Sequence, residues 1–334
     1  MSEPRVAVVG ATGAVGNQLL RILEERNFAI SDLRLLASKR SAGIEIEAFG
    51  DVISVSELQE DSFEGIDIVF SAAGTDVARW FAPYAVKSGA TVIDKSSAWR
   101  YEDDVPLVVP EINGQDIESH KGIISCPNCS TIQLVMALSP IHLRHPIRRV
   151  IASTYQAVSG AGALAMKELR QQTIDIARDE ATEINELPQQ ILHNVIPEVE
   201  TFREEDGYTS EEWKMAVETR KIMHEPNLPI SATCVRVPVY RGHSEAVNLE
   251  FDHPVDPNSI RQVLQESPGI VVLDDPATHT YPTPLMVEGK DEVLVGRIRR
   301  DSSNPNGIVM WVVGDNLRKG AATNAVQIAE NIVR

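Results

Sequence analysis

The chain has 334 residues, with 31 Lys and Arg against 48 Asp and Glu, a formal charge of −17 at pH 7. That length suggests about two domains and enough volume for a substantial core. The charge argues against nucleic acid or an anionic membrane as the main partner, because most of this surface would repel either. An anionic small substrate would have to be held by a few locally placed cations.

No stretch approaches the roughly 18–20 uninterrupted apolar residues of a membrane helix. The opening MSEPRVAVVGATG lacks the basic and long apolar regions of a signal peptide. Three cysteines do not make a secreted disulfide scaffold. A soluble cytoplasmic protein without a metal centre is the expectation.

In chain order, Arg5–Val9 reads as a strand, followed by Gly10, Gly13 and Gly16 and then a helix over Asn17–Arg26 with apolar residues on one face. Strands are expected at Leu33–Ala37, Glu45–Ala48, Val52–Val55, Ile66–Ala72, Thr91–Asp94 and Gly122–Ser125, with a helix at Val77–Lys87. Such alternation predicts a parallel sheet with helices on both faces. A helix from about Thr131 to His142 follows Cys126-Pro-Asn-Cys129. Beyond it the pattern changes. Arg148–Gln156, Ser231–Val239, Ser244–Phe251, Glu292–Ile298 and Ile308–Val313 read as strands and Ala163–Thr182 as a helix, giving an α+β domain on a mainly antiparallel or mixed sheet. The acidic 180–207 stretch reads as an irregular excursion. A small-residue helix over Arg318–Val333 is expected to pack back on the first domain.

The three glycines between a strand and a helix suit a pyrophosphate, which needs close backbone approach and a helix N-terminus. At the end of the second strand an NAD site usually carries an acidic residue for the ribose hydroxyl. Here stand Ser38, Lys39, Arg40 and Ser41, two cations and two hydroxyls that suit a 2′-phosphate and therefore NADP. Cys126-x-x-Cys129 admits three readings from its spacing: a redox pair, a zinc ligand pair, or a single nucleophile, Cys129, at a helix N-terminus whose dipole favours thiolate and whose N–H groups could hold an oxyanion. Zinc is disfavoured, since the third cysteine, Cys234, stands alone. Inert buried thiols are the plain alternative. Of eight histidines, His243 stands out as a base, between two strands after a glycine; a surface histidine is its plain alternative.

The segments VAVVGATGAVG, LRLLASKRSAG, FSAAG, DKSSAWR, VPLVVPEIN, SCPNCSTIQL, TYQAVSGAGA, HNVIPE, EEWKMAVETRKI, RVPVYRGHSEAVNLEF and GDNLRKGAATNAVQIAE occur in this order over essentially the whole chain. In them the chain resembles the aspartate-β-semialdehyde dehydrogenase family, in its main bacterial branch. The resemblance implies a Rossmann-type NADP-binding domain over 1–129, completed by a C-terminal helix over 317–334, and a catalytic and dimerisation domain over 130–316. It implies reductive dephosphorylation of L-4-aspartyl phosphate by NADPH through a Cys129 thioester, in lysine, threonine, methionine and diaminopimelate biosynthesis, by a homodimer or dimer of dimers.

Residue by residue, it implies Cys129 as nucleophile, His243 as general acid/base and Gln156 as the substrate-orienting glutamine. Arg100, Lys214 and Asn128 would meet the phosphate, Glu211 the substrate amine and Arg236 the α-carboxylate. Gly10, Thr12, Gly13, Ala14, Val15, Ser38, Arg40 and Ser41 would hold the cofactor, with Ser159, Gly160 and Asn316 near its nicotinamide end. Lys95 and Trp99 depart from the common Asn and Phe beside the Arg100 loop. An N-acetylglutamyl-phosphate reductase-like enzyme and a non-catalytic NADPH-binding paralogue are the alternatives. Without the resemblance, Glu211 and Lys214 read as a surface i,i+3 pair.

Overall fold

The computed structural model describes residues 3–333, in two units: residues 3–128 with 321–333, and residues 129–320. The first holds strands β1 (Arg5–Val9), β2 (Asp32–Ala37), β3 (Glu45–Ala48), β4 (Asp51–Ser54), β5 (Ser56–Glu57), β6 (Ile68–Ser71), β7 (Thr91–Asp94) and β8 (Ile123–Ser125), with helices α1 (Ala14–Glu25) and α2 (Thr75–Lys87). Six strands form one parallel sheet in the order β5-β2-β1-β6-β7-β8. The β3–β4 hairpin stands apart as a two-stranded antiparallel pair.

Alternate residues of β1 serve the two faces of this sheet, as the period of a strand requires. Val6 and Val8 join α1 and the C-terminal helix Thr323–Val333 through Leu19, Leu23, Val326 and Ile328. Ala7 and Val9 join α2 through Ala78, Phe81 and Ala82. The C-terminal helix is also tied to this unit by Arg26–Glu330 at 2.7 Å and by the Asn324 amide donating to Val108 O at 2.8 Å. It is shorter than expected. Residues 318–322 wind as a π turn, because the Asp315 carboxylate accepts from Leu317 and Arg318 N–H and the Asp315 carbonyl from Gly320 N–H.

The second unit carries helices α3 (Cys129–Arg144), α4 (Ala163–Ala177), α5 (Ser210–Ile222) and α6 (Pro257–Gln265) and strands β9 (Ile147–Gln156), β10 (Ile230–Arg236), β11 (His243–Phe251), β12 (Ile270–Val272), β13 (Val293–Arg300) and β14 (Gly307–Gly314). The sheet runs β10-β9-β11-β14-β13-β12, with β9/β10 and β12/β13 parallel and the other pairs antiparallel, which is the mixed sheet expected. Helices α3, α5 and α6 cover this sheet. α5 starts at a capping box, with Glu212 N–H donating to Thr209 Oγ1 and Thr209 N–H to the Glu212 carboxylate. The second Glu212 oxygen accepts from Cys234 N–H at 2.9 Å, which fixes α5 against β10.

Several boundaries differ from the pattern of the sequence. α1 begins at Ala14, so Gly16 lies inside the helix, and α3 begins at Cys129 itself. α4 stops at Ala177, where the chain turns left-handed at Asp179 (φ 56°). β10 ends at Arg236, just before Val237 and Pro238, a residue with no N–H to give a ladder.

Gly16 has no room for a side chain: a Cβ would lie 2.3 Å from Gly10 O. Gly16→Ala is therefore expected to lower stability by about 1–3 kcal/mol through overpacking. Urea denaturation checks this, and a wild-type midpoint would contradict it.

Candidate active site

In the first unit, the glycine loop follows β1, between β1 and β6, where the strand order reverses. Gly10 has φ +83°, and a Cβ there would lie 2.9 Å from the Ala72 carbonyl. No side chain caps the N-terminus of α1 after Gly13, so the first N–H groups of the helix, at Ala14 and Val15, suit an anion. Thr12, Asn17, Arg21, Glu24, Ile44 and the start of β3 line a cleft of about 460 Å³ beside this loop. Ser38 to Ser41 form a single turn at the end of β2, closed by Ser41 N–H donating to Ser38 O at 2.8 Å, with Lys39 and Arg40 exposed. These residues fit a phosphorylated dinucleotide: a tight backbone cradle, an uncapped helix end and a basic turn.

Arg100 is 5% exposed and donates to Lys95 O at 2.7 Å. It belongs to a structured loop in which Asp94 accepts from Ser96 Oγ at 2.7 Å. Its guanidinium is therefore buried rather than exposed. Asn128, the last residue of this unit, is buried. Cys126 is fully buried, and burial, with the nearby Asp94 charge, pushes its thiol up to about 12. It is not poised to ionise, which removes it as nucleophile.

The second unit gathers nine of the predicted residues. Register places Arg236 of β10 beside Gln156 of β9, and Ser244 of β11 opposite Tyr155, so that Arg236, Gln156 and His243 form one row across three strands. His243 and Gly314 of β14 extend that row. All three polar side chains are at least nine-tenths buried. The Gln156 amide donates to Ser130 Oγ at 2.9 Å and to Glu211 Oε1 at 3.1 Å, joining the start of α3 and α5 to the row. Ala157 supplies both ends of its peptide: its N–H donates to His243 Nδ1 at 3.0 Å, and its carbonyl accepts from Arg236 at 2.8 Å. Nδ1 therefore holds a lone pair, and the neutral imidazole carries its proton on Nε2.

Gly160 shows where Arg236 and His243 converge. A Cβ there would lie 2.8 Å from Arg236 Nη1 and 3.1 Å from His243 Nε2. Asn316 Oδ1 accepts from Gly242 N–H at 3.0 Å, and its amide exchanges a hydrogen bond with Ser159 Oγ, so Asn316 sets both the Ser159–Gly160 turn and the approach to His243. Cys129 opens α3 and is partly exposed, and Gly320 packs on it, with a would-be Cβ 3.1 Å from Cys129 Cβ.

Burial lowers the Arg236 pKa, opposed chiefly by the negative charge of Glu211 and also by Glu200. Lys214 is bound by the Glu200 carboxylate and lies 4.0 Å from Glu211, which is 3% exposed. The pair is therefore largely buried, with Glu211 bonded to Gln156, rather than a surface i,i+3 decoration. Among the described residues no group of three His, Cys, Asp or Glu is arranged to hold a metal, and no helix is long and apolar enough to cross a membrane.

The chain matches two family models, a semialdehyde dehydrogenase NAD-binding domain over residues 5–120 and a semialdehyde dehydrogenase dimerisation domain over 138–319. It is 52% identical to an aspartate-semialdehyde dehydrogenase of Aquifex aeolicus, over 99% of this chain and 98% of that protein. It resembles the crystal structure of aspartate semialdehyde dehydrogenase II from Vibrio cholerae complexed with ASA, at TM-score 0.97 and 44% identity, covering 100% and 99% of the two chains. A Candida albicans aspartate semialdehyde dehydrogenase with NADP matches at TM-score 0.76 and 28% identity, covering 99% of each chain.

The chain belongs to the aspartate-semialdehyde dehydrogenase family. The two matches leave residues 121–137 between them, and Cys129 lies there. Sequence reasoning missed several residues that build this family member's site. Ser130 directly follows Cys129 and could have been found by that adjacency. Ala157 acts through its backbone, which no residue pattern announces. Glu200 lies in the irregular stretch before α5, where no periodic pattern marks it. Asp315, fully buried, accepts from Arg241 at 2.8 Å and from Gly289 N–H at 2.9 Å, and its place beside Asn316 was the available signal.

Burial also raises the Cys234 thiol, aided by the charge of Glu211. Cys129 is therefore expected to react with iodoacetamide much faster than Cys126 and Cys234 at pH 7.5. Peptide mapping by mass spectrometry checks this; equal labelling of all three would contradict an accessible, activated Cys129.

Proposed function

We propose that the chain reduces L-4-aspartyl phosphate to L-aspartate 4-semialdehyde with NADPH, releasing phosphate, in the cytoplasm as a homodimer. The observation that carries this is the cross-strand row of Arg236, Gln156 and His243 in the unit that begins with Cys129. The names of the relatives, aspartate-semialdehyde dehydrogenases, favour it over an N-acetylglutamyl-phosphate substrate.

In this reading the Cys129 thiolate, favoured by the helix N-terminus and by the charge of Arg236, adds to the acyl carbon. The oxygen that gains charge is met by His243 Nε2–H and by the positive end of the α3 dipole. The carbon–oxygen bond to phosphate then breaks, leaving a thioester on Cys129 and free phosphate, whose charge Lys214 would meet. When bound, NADPH would supply the hydride that takes the thioester carbon to the aldehyde level. His243 again donates to the oxyanion, which collapses with return of the thiolate. Arg236 forks onto the α-carboxylate, a task for which guanidinium is shaped, and Glu211 takes the amine. Gln156, held by Ser130 and Glu211, orients the substrate over the row.

The glycine loop, Thr12, the N-terminus of α1 and the Ser38–Arg40–Ser41 turn would hold NADP. The absence of an acidic residue at that turn supports NADP over NAD, as does the NADP-bound Candida relative. The uncovered sheet face supports the dimer: Ile151 and Tyr155 are each more than a third exposed, and the Tyr155 ring lies tilted against Trp311 with centroids 5.3 Å apart.

Cys129→Ala is expected to lower phosphate-dependent NADP reduction with aspartate semialdehyde by roughly 10³-fold or more while NADPH binding survives. Retained turnover would refute the covalent mechanism. Arg40→Ala is expected to shift the NADPH-to-NADH preference by about tenfold, the scale of one charge-assisted hydrogen bond. Steady-state kinetics with both cofactors checks it, and an unchanged ratio would count against a 2′-phosphate at this turn.

A further inference from the structure

One fully buried carboxyl is used by nothing above. Glu245 lies on β11, two residues beyond His243 and on the same face of the sheet. Its row, directly behind the catalytic one, pairs it with Thr154 of β9 and Val312 of β14, while Thr154 pairs with Cys234 of β10. Neither Glu245 oxygen has a hydrogen-bond partner at ordinary geometry.

Gln133 answers it from above. It lies on α3 four residues after Cys129, one helical turn along and on the same side of the helix. Its side chain is 2% exposed, and its Nε2 is likewise without a partner at ordinary geometry. Its Oε1 sits over Gly314, the residue paired with His243, where a Cβ would come within 2.7 Å. Its amide is the polar group that acts on the Glu245 carboxyl.

We propose that Gln133 and Glu245 form a buried brace that sets the spacing between the helix carrying Cys129 and the strand carrying His243. Glu245 is a positioning residue and touches no substrate. The groups facing its carboxyl are Gln133 from α3, Thr154 from β9, Cys234 from β10, Val312 from β14, Glu211 from α5 and His243 on its own strand. Burial, the largest influence, favours the protonated acid; the Gln133 amide opposes it by supporting the charged form, and the Glu211 charge adds to the burial effect. A protonated carboxyl can donate to the Gln133 carbonyl while accepting from its amide, so the two side chains satisfy each other only while Glu245 is neutral.

The sign of the pH effect follows. The unfolded chain ionises Glu245 near pH ~4.3, whereas the folded chain keeps the proton to higher pH. Stability is therefore lost as pH rises above that value, and substitution by neutral Gln removes this loss.

The brace rests on the proposed roles of Cys129 and His243, and the test separates the two claims. The full-length enzyme is prepared as wild type, E245Q, E245A and C129A. Turnover, KM for aspartate semialdehyde and phosphate, Cys129 alkylation against pH, and thermal midpoints from pH 6 to 10 are measured. Expected is an E245Q variant with kcat within about threefold of wild type and a flatter fall in midpoint above neutral pH. E245A is expected to lose about tenfold or more in kcat with KM nearly unchanged, the pattern of lost positioning. Wild-type kcat and alkylation in folded E245A would overturn the brace, and so would an E245Q midpoint that falls with pH as the wild type does. If E245A does not fold, that E245Q comparison decides alone. An active C129A would instead overturn the proposed chemistry, whatever the E245 variants show.

Discussion

The site depends on one constraint, the register of three neighbouring strands. β9 and β10 run parallel and β11 runs antiparallel to β9, so a single alignment puts Arg236, Gln156 and His243 side by side and points all three at the same covering helices. A slip of one residue in β11 would turn His243 to the opposite face and bring the neighbouring serine inward. The Ala157 peptide reinforces the alignment with two side-chain bonds, one to the base and one to the guanidinium. The Glu212 carboxylate ties α5 to β10 and so carries Glu211 and Lys214 to the same row. Ligand groups placed on strands and on the first turns of helices are held more rigidly than loops could hold them, which is what positioning an acyl phosphate against a thiolate demands.

The second theme is how an acidic protein handles anions. With a formal charge of −17, its long-range field does not draw in an anionic substrate or cofactor. The cations at the site matter by position. Arg236 is buried at a desolvation cost that lowers its pKa, and Glu211 and Glu200 partly compensate. Lys214 is already held in place by the Glu200 carboxylate. Arg40 is different, exposed on a surface turn, in keeping with a phosphate that would dock from solvent. Glu245 departs from the pattern: a carboxyl with no cation, facing an amide in place of a charge.

Much of the fold was legible in the sequence, for physical reasons. Buried parallel strands leave continuous apolar runs such as Val6–Val9 and Ile68–Phe70, and the glycines at 10, 13 and 16 mark a turn that admits nothing larger at Gly10 or Gly16. The mixed sheet was legible from alternation in β11 and β14. Boundaries were less so, because they are decided by tertiary bonds: the π turn at 318–322 follows from the buried Asp315, and α3 starts at Cys129 where helical periodicity becomes visible only at Thr131. The residues at the site that resemble a known family were legible by residue type and order. Those that hold them were not. Ala157 works through its peptide, Glu200 reaches α5 from an irregular stretch, and Gln133 and Glu245 are distant in sequence and meet only because the register fixes one and the helix the other.

The central claim is that this row presents an acyl group to Cys129 for covalent transfer. The most direct measurement is intact-protein and peptide mass spectrometry after mixing the enzyme with L-4-aspartyl phosphate in the absence of NADPH, followed by acid quench. The account predicts one aspartyl adduct per chain, on Cys129, lost when NADPH is added before the quench and absent from His243→Asn or Arg236→Leu at the same mixing time. No adduct in the wild type, or an adduct on another residue, would contradict it.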